Sequence, residues 1–136
     1  MIRQYSLAKD GNRKLAPSFN TREFRCRDGT DTILVDEALT VVLQCIREHF
    51  GKAVTITSGY RTPAHNAKAG GTRFSQHLYG RAADIRVQGA SVEEVAACAE
   101  RLLHGCGGVG RYPAKAGRAA GWVHVDTRAE KARWRG

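Results

Sequence analysis

Residues 75–87, with the sequence SQHLYGRAADIRV, place a histidine and an aspartate on either side of a glycine. Six residues separate His77 from Asp84, and Gly80 allows a turn between them. The second half of the segment predicts a strand, in which Asp84 faces away from the neighbouring aliphatic residues. A histidine and a carboxylate held together across a turn either bind a metal ion or form an ordinary hydrogen bond.

The segment WVHVDT, residues 122–127, predicts another strand whose side chains alternate between two faces. His124 and Asp126 lie on one face, and the intervening valines lie on the other, where they pack against a core. With His77 and Asp84, His124 completes a ligand set that suits Zn²⁺ and leaves one coordination position open. An open position is typical of catalytic zinc sites, in which a bound water loses its proton near neutral pH.

The same residues also have an ordinary structural explanation. His77 can cap a turn, and His124 can be a hydrogen-bonded residue of the sheet. Asp84 can pair with Arg81 or Arg86, which lie close to it in the sequence. The spacing H-x6-D with a distant histidine does not by itself decide between a metal site and these contacts.

The surrounding pattern predicts an α+β domain with a small antiparallel sheet. The predicted elements, in order, are a helix over 36–50, a strand over 53–58, a short helix from Thr62 to Gly70, a strand over 82–87, a helix from Ser91 to about Leu103, and strands over 108–112 and 122–127. Ser91 and Glu94 form a capping box at the start of the last helix. We expect its apolar face to consist of Val95, Ala96, Ala99 and Leu102.

The first part of the chain shows no clear periodicity of apolar residues. Residues 1–30 contain turn-forming stretches such as KDGNRK and RDGT, and they predict an irregular arm packed on a domain formed by residues 31–136. Leu15, Phe19 and Phe24 are the apolar residues expected to dock this arm onto the core.

Length and composition place the chain among single-domain globular proteins. It has 136 residues, of which 42% are hydrophobic and 26% are charged, and no apolar run approaches the ~20 residues that span a bilayer. The polar N-terminal stretch lacks the apolar segment of a secretory signal, so synthesis in the cytoplasm is expected, with delivery to an outside target by another route such as cell lysis. We expect no membrane partner, and we expect the protein to be a monomer.

The formal net charge of +9 favours an anionic partner, such as nucleic acid or a charged wall polymer. The basic residues are scattered, however, with no run of five and no helix that combines a basic stripe with aromatic residues. The sequence therefore predicts no specific nucleic-acid partner.

The four cysteines, Cys26, Cys45, Cys98 and Cys106, include no CxxC pair. Without a secretory signal, free and partly buried thiols are favoured over disulfides or metal ligands.

Four linked motifs resemble the zinc D-Ala-D-Ala carboxypeptidase family, and in particular its small single-domain members from phages and bacteria. They are SGYRTPAHNAKAGG (58–71), SQHLYGRAADI (75–85), GGVGRYP (107–113) and WVHVDTR (122–128). The resemblance extends to the closing RAEKARW and covers the chain from about Thr55 to Trp134.

The resemblance implies a Hedgehog/DD-peptidase-like fold, with helices on one side of an antiparallel sheet. It places His77, Asp84 and His124 at the positions of the ligands to one Zn²⁺. It places Arg61 and Ser75 at positions that hold the substrate or stabilise the transition state, and Arg61 can donate to a developing oxyanion.

The general base departs from the family pattern. Many members have an acidic residue a few positions before the last histidine, whereas this chain has Gly-Trp-Val at 121–123. Asp126 is the nearest substitute, and it either accepts a proton from the nucleophilic water or orients a histidine ligand. His65 and Glu130 are the next candidates for the base.

The leading functional hypothesis is a zinc metallopeptidase that acts on bacterial cell-wall peptidoglycan after release from the cytoplasm. Its substrate would be a peptidoglycan peptide, cut either at a terminal D-Ala-D-Ala or at an internal cross-bridge bond. The alternative is a zinc-stabilised binding module for the cell wall without catalysis, because the missing acidic residue can remove activity and leave the ligands intact. A small basic nucleic-acid-binding domain is a third class, based on charge alone.

Overall fold

The computed structural model describes residues 1–136 and contains every helix and strand predicted above, with ends within two residues of the prediction. The helices are α1 (Leu7–Asp10), α2 (Glu37–Phe50), α3 (Pro63–Lys68) and α4 (Val92–Leu103). The strands are β1 (Ile2–Ser6), β2 (Lys14–Ala16), β3 (Phe19–Asn20), β4 (Thr32–Asp36), β5 (Val54–Ser58), β6 (Ala82–Val87), β7 (Gly108–Tyr112), β8 (Trp122–Asp126) and β9 (Ala132–Arg135). Single 3₁₀ turns occupy Thr21–Phe24 and Gln76–Tyr79.

A five-stranded sheet in the order β5-β6-β8-β7-β9 forms the centre of the fold. Three of its four pairings are antiparallel, and the last, between β7 and β9, is parallel. The α+β class is therefore confirmed, and the sheet gains one parallel edge strand that the sequence did not predict. The edge position explains the omission, because β9 has the sequence ARWR and lacks an apolar run.

Helices α2 and α4 pack against each other and against the sheet. Asp36 caps α2 by accepting from the backbone N–H of Ala38, and Gly51 ends the helix in the left-handed region at φ 62°. The capping box of Ser91 and Glu94 is present at the start of α4. Leu102 is 43% exposed, contrary to the prediction, because Leu103 takes the inward position of the last turn.

The N-terminal residues are more regular than predicted. Strand β1 pairs antiparallel with β4 over its whole length, and β2 and β3 form a short antiparallel hairpin. The polar sequence of β1 has no alternation of apolar residues, which is why the strand was not predicted. The expected anchors do dock: Phe19 and Phe24 are buried in the core, and Leu15 packs against it.

The sheet fixes the relative positions of the candidate site residues. In the pairing of β6 with β8, Asp84 lies directly opposite His124, and Ala82 lies opposite Asp126. Ile85, Val123 and Val125 point to the other face and belong to the core. No helix combines the length and apolar character needed to cross a membrane.

Candidate active site

His77 is held in place by the backbone on both sides of it. Ser75 accepts from the N–H of His77 at 3.3 Å and so caps the 3₁₀ turn, and Gly80 ends that turn at φ 72°. A side chain at Gly80 would also collide with the carbonyl of Leu34. The ring atom Nδ1 donates to the carbonyl oxygen of Gly59 at 2.7 Å, because a carbonyl only accepts. In the neutral imidazole that metal binding requires, Nε2 then carries no proton and is available as a ligand.

His124 is oriented in the same way by a carboxylate. Its Nε2 lies 2.7 Å from Oδ2 of Asp126, and its Nδ1 lies 3.2 Å from Oδ1 of Asp84. Burial acts to lower the pKa of the His124 imidazole, but the hydrogen bonds with Asp126 and Asp84 outweigh burial and raise this pKa. An ionised Asp126 places the proton on Nε2 and directs Nδ1 toward Asp84.

Asp84 is the meeting point of both histidines. Its Oδ1 lies 3.2 Å from Nδ1 of His124 and 3.4 Å from Nε2 of His77. Burial acts to raise the pKa of the Asp84 carboxyl, but hydrogen bonds with the two histidines hold it below its usual value. The carboxylate is therefore ionised at neutral pH, as a metal ligand must be.

The three side chains fit a tetrahedral metal ion. One ligand atom from each of His77, Asp84 and His124 lies within 4.8 Å of the others, and all three residues are buried. Two ligand atoms about 2.0–2.1 Å from a tetrahedral ion lie about 3.3–3.4 Å apart. The Asp84 oxygen lies 3.4 Å from the His77 nitrogen and 3.2 Å from the His124 nitrogen, close to this spacing. The structure brings the predicted ligands together, and zinc as the ion stays a prediction.

Asp126 lies behind His124 and is completely buried. Its Oδ1 accepts from the N–H of Gly108 at 2.9 Å, and its Oδ2 accepts from Nη2 of Arg128 at 2.6 Å as well as from His124. Asp126 does not line the pocket in front of the two histidines. This position disagrees with a base that takes a proton from water in the pocket, and it agrees with the alternative of an orienting carboxylate.

Comparison with known proteins decides the family. The sequence profile of the family described as Peptidase M15 matches residues 17–126. This chain belongs to the peptidase M15 family. The match includes all three candidate ligands and confirms the resemblance stated for the motifs.

One curated relative of this M15 chain is the probable peptidoglycan L,D-endopeptidase MepK of Haemophilus influenzae. The two are 34% identical over 79 residues, which is 54% of this chain and 39% of the relative. The chain thus matches well under half the length of that protein.

A pocket of about 430 Å³ opens in front of the candidate ligands of this M15 chain. Arg61 and Ser75 both line it, as the family positions imply. Arg61 is held by three partners: Nε donates to Oγ of Ser58 at 3.0 Å, Nη1 donates to Oδ1 of Asn66 at 3.3 Å, and Nη2 lies 3.5 Å from Oδ2 of Asp84. A fixed guanidinium beside the ligands suits binding of a carbonyl or carboxylate oxygen.

One wall of the pocket is aromatic, and sequence analysis assigned it no role. The rings of Tyr112 and Trp122 stack at 4.9 Å, and the Trp134 ring lies 5.0 Å from the His124 ring. Trp134 donates its indole N–H to the hydroxyl of Tyr112 at 2.8 Å. Alternation along β8 could have found Trp122, which shares the face of His124, whereas Trp134 arrives through the parallel strand β9.

No carboxylate other than Asp84 lines the pocket. Glu130 is exposed in the turn before β9, and His65 lies on α3 outside the pocket. Neither of these further candidates is therefore placed to act as the general base. Arg128, another residue that sequence analysis missed, lines the pocket and lies 5.3 Å from the Trp134 ring.

Proposed function

We propose that this M15 peptidase uses one zinc ion to hydrolyse peptide bonds of bacterial peptidoglycan. The observation that carries the proposal is the convergence of His77, Asp84 and His124 at the floor of an open pocket, each with its ligand atom directed inward. Two imidazoles and a carboxylate form a ligand set typical of catalytic zinc. The peptidoglycan substrate is supported by the relative from Haemophilus influenzae, whose name describes a peptidoglycan endopeptidase.

When bound, Zn²⁺ would supply Lewis-acid activation of water and of the scissile carbonyl. The residues of the chain contribute orientation and charge. Gly59 accepts a hydrogen bond from His77, and Asp126 accepts one from His124. Each contact holds the other ring nitrogen of its histidine toward the pocket. Arg61 would donate to the oxygen on which negative charge develops, because its guanidinium is already fixed beside Asp84.

The aromatic wall supports binding of an extended peptide. The rings of Tyr112, Trp122 and Trp134 present flat apolar surface beside the candidate ligands. Ser75 and Arg61 line the same pocket and offer polar groups to a peptide backbone or a terminal carboxylate. The pocket therefore combines apolar contact with a few fixed donors, as substrate sites commonly do.

A second candidate function is a metal-stabilised module that binds the cell wall without cleaving it. The observation in its favour is that Asp84 is the only carboxylate lining the pocket, so no side-chain base stands beside the substrate position. In that case the ligands would hold an ion for stability alone.

Product analysis with purified peptidoglycan separates the two functions. The protein is stripped with chelator, reloaded with Zn²⁺, and incubated with peptidoglycan, and the released peptides are identified by mass spectrometry. Cleavage that requires zinc supports the peptidase, and the product mass distinguishes loss of a terminal D-alanine from cleavage of an internal bond. Binding to peptidoglycan with one bound zinc and no product supports the second candidate.

His77→Ala should lose both zinc and cleavage, because it removes a ligand. His49→Ala is the matched control, since His49 is exposed on α2 away from the pocket. The proposal of a zinc-dependent peptidase would be wrong if the wild-type protein binds no zinc after reloading, or if it cleaves peptidoglycan equally well in chelator.

A further inference from the structure

A second group of potential metal ligands lies outside the pocket. The Sγ atom of Cys26, a carboxylate oxygen of Asp28 and a ring nitrogen of His65 all lie within 4.8 Å of one another. Cys26 and Asp28 belong to the loop that follows the 3₁₀ turn Thr21–Phe24, and His65 belongs to α3. The cluster therefore joins the N-terminal part of the chain to the segment that carries Arg61.

Thr62 contacts the side chains of Cys26 and Asp28 and the backbone of His65. Its backbone N–H points at Sγ of Cys26 at 3.5 Å, and its hydroxyl donates to Oδ2 of Asp28 at 3.0 Å. The same hydroxyl accepts from the backbone N–H of His65 at 3.2 Å and caps α3. The other oxygen of Asp28 accepts from the N–H of Thr30 at 2.9 Å. Thr62 and local backbone contacts thus position the side chains of Cys26 and Asp28, and the cap on α3 fixes the backbone of His65.

The charge of Asp28 has no partner within the chain. The protein carries 22 basic and 13 acidic residues, yet Asp28 forms no ion pair. The neighbouring guanidinium groups are engaged elsewhere: Arg25 donates to the carbonyl of Arg22, and Arg27 donates to the carbonyl of Ile56 at 2.7 Å. A bound cation would neutralise this carboxylate.

The cluster is open on one side and closed on the other. Cys26 is completely buried, whereas Asp28 is exposed and His65 is half-buried. An ion can therefore reach the site from solvent, while the sulfur is shielded from other reactants. One thiolate, one imidazole and one carboxylate suit borderline-soft ions such as Zn²⁺ and Co²⁺, and they do not suit Ca²⁺ or Mg²⁺, which prefer oxygen ligands alone.

We propose that Cys26, Asp28 and His65 form a second metal site, which takes a thiophilic divalent ion such as Zn²⁺ and clamps the N-terminal loop to α3. Binding requires the Cys26 thiol to release its proton and the side chains to close to about 2.3 Å for sulfur and about 2.0–2.1 Å for nitrogen and oxygen. Arg61 lines the pocket and precedes Thr62, and Asn66, which follows His65, accepts a hydrogen bond from Arg61. The second ion would therefore stabilise the segment that positions Arg61.

Cobalt titration tests this site without any measurement of activity. Metal-free protein is titrated with Co²⁺, and the near-ultraviolet absorption of a thiolate bound to cobalt is recorded. The pocket cluster of His77, Asp84 and His124 contains no sulfur, so this absorption can come only from a cysteine site. We expect the band in the wild-type protein, with two equivalents of Co²⁺ bound at saturation.

Variants assign the band to its ligands. Cys26→Ser should abolish the band and lower the bound cobalt by one equivalent, and Cys106→Ser, at an exposed thiol, should leave both unchanged. His77→Ala should retain the band while losing the other equivalent. Because Cys26 is buried, His65→Gln and Asp28→Asn provide a second test at accessible positions. Each variant should weaken cobalt binding at the cysteine-containing site by roughly 10-fold or more, and circular dichroism should confirm that the fold is retained.

Three results would overturn the second site. They are a wild-type protein without the thiolate band at saturating Co²⁺, a band that survives Cys26→Ser, and a band whose cobalt affinity is the same in His65→Gln and Asp28→Asn as in wild type. Failure of the pocket site alone gives a different result. The wild-type protein would then bind one equivalent of Co²⁺ and still show the thiolate absorption band.

Discussion

The proton on His124 is placed by Asp126, which lies 2.7 Å from Nε2 on the side away from the pocket. The opposite ring nitrogen, Nδ1, lies 3.2 Å from Asp84 and faces the candidate metal position. Asp126 is itself held by the N–H of Gly108 and by Arg128. The orientation and the tautomer of one ligand therefore depend on a carboxylate that never reaches the pocket.

Asp126→Asn should weaken zinc binding by ~10- to 100-fold. If the amide oxygen keeps the contact with the N–H of Gly108, the amide N–H₂ faces Nε2 of His124. That nitrogen must then accept, so the ring proton moves to Nδ1 and blocks the ligand position. Zinc affinity is measured by competition with a chromophoric chelator, and excess zinc should restore activity.

Asp31→Asn is the matched control for this change, because Asp31 is exposed and its carboxylate accepts hydrogen bonds from Ser6 and Ala8, far from the site in the sequence and outside the pocket lining. It should bind zinc like the wild-type protein. A loss of kcat in Asp126→Asn at full zinc occupancy would contradict the orienting role and return Asp126 to the role of base.

The local pattern of the sequence was sufficient to place several site residues on the correct face. Alternation along β8 directs His124 and Asp126 away from the valines, and the structure has both valines in the core. The glycine after the SQHLY stretch marks a turn, and the structure has Gly80 in the left-handed region. These features depend on neighbours in the sequence, and short-range rules describe them well.

Contacts between distant segments could not be predicted in this way. The partner of His77 is a backbone carbonyl, that of Gly59, which carries no side-chain signal. The register that sets Asp84 opposite His124 depends on the whole pairing of β6 and β8. Trp134 reaches the pocket only because β9 pairs in parallel with β7, and a four-residue strand rich in arginine gives no periodic signal.

Arg61→Lys should lower kcat by roughly 10²- to 10³-fold if the guanidinium stabilises negative charge in the transition state. Lysine keeps the charge but cannot reproduce the planar fork that contacts Ser58, Asn66 and Asp84. Zinc content should stay unchanged, because Arg61 is not a ligand. The measurement is steady-state cleavage of a peptidoglycan peptide, together with metal analysis of the same sample.

Arg73→Lys is the control for Arg61→Lys, since Arg73 is exposed and outside the pocket lining. Its activity should match that of the wild-type protein. If the two variants cleave the peptide at the same rate, Arg61 has no part in the reaction.

Gly110→Ala should destabilise the protein by about 1–3 kcal/mol through overpacking. A methyl group at Gly110 would lie 2.5 Å from Cε2 of Trp134, and a rigid indole cannot bend away as a flexible chain would. The ring must therefore shift from its place beside His124. Urea denaturation measures the loss, and tryptophan fluorescence reports the displaced ring.

Gly105→Ala provides the comparison, because a methyl group there meets no atom within 4 Å. The double variant Gly110→Ala, Trp134→Ala should lose less free energy of unfolding than the sum of the losses in the two single variants, since removing the indole relieves the clash. Additive losses would show that Gly110 and Trp134 do not interact.

Asp36 connects the start of α2 to the end of β8. Its Oδ2 accepts from the hydroxyl of Thr127 at 2.7 Å, and its Oδ1 accepts from the N–H of Ala38 at 3.3 Å. Burial acts to raise the pKa of the Asp36 carboxyl, but these hydrogen bonds outweigh burial and lower the pKa below its usual value. A carboxyl whose pKa is depressed on folding stabilises the protein above its unfolded pKa of about 3.9.

Asp36→Asn should therefore lower the free energy of unfolding at pH 7 by about 1 kcal/mol and flatten its dependence on pH in acid. Asparagine still caps a helix, and the Thr127 hydroxyl can turn to accept from the amide, so the geometry is preserved. The stability advantage of the wild-type protein should be full above about pH 5 and should disappear as the pH falls through the folded pKa of Asp36.

Urea denaturation of both proteins between pH 7 and pH 3 measures the difference in the free energy of unfolding. Glu48→Gln, an exposed change on α2, is the control. A difference that stays constant across this range would mean that the Asp36 charge does not contribute to stability.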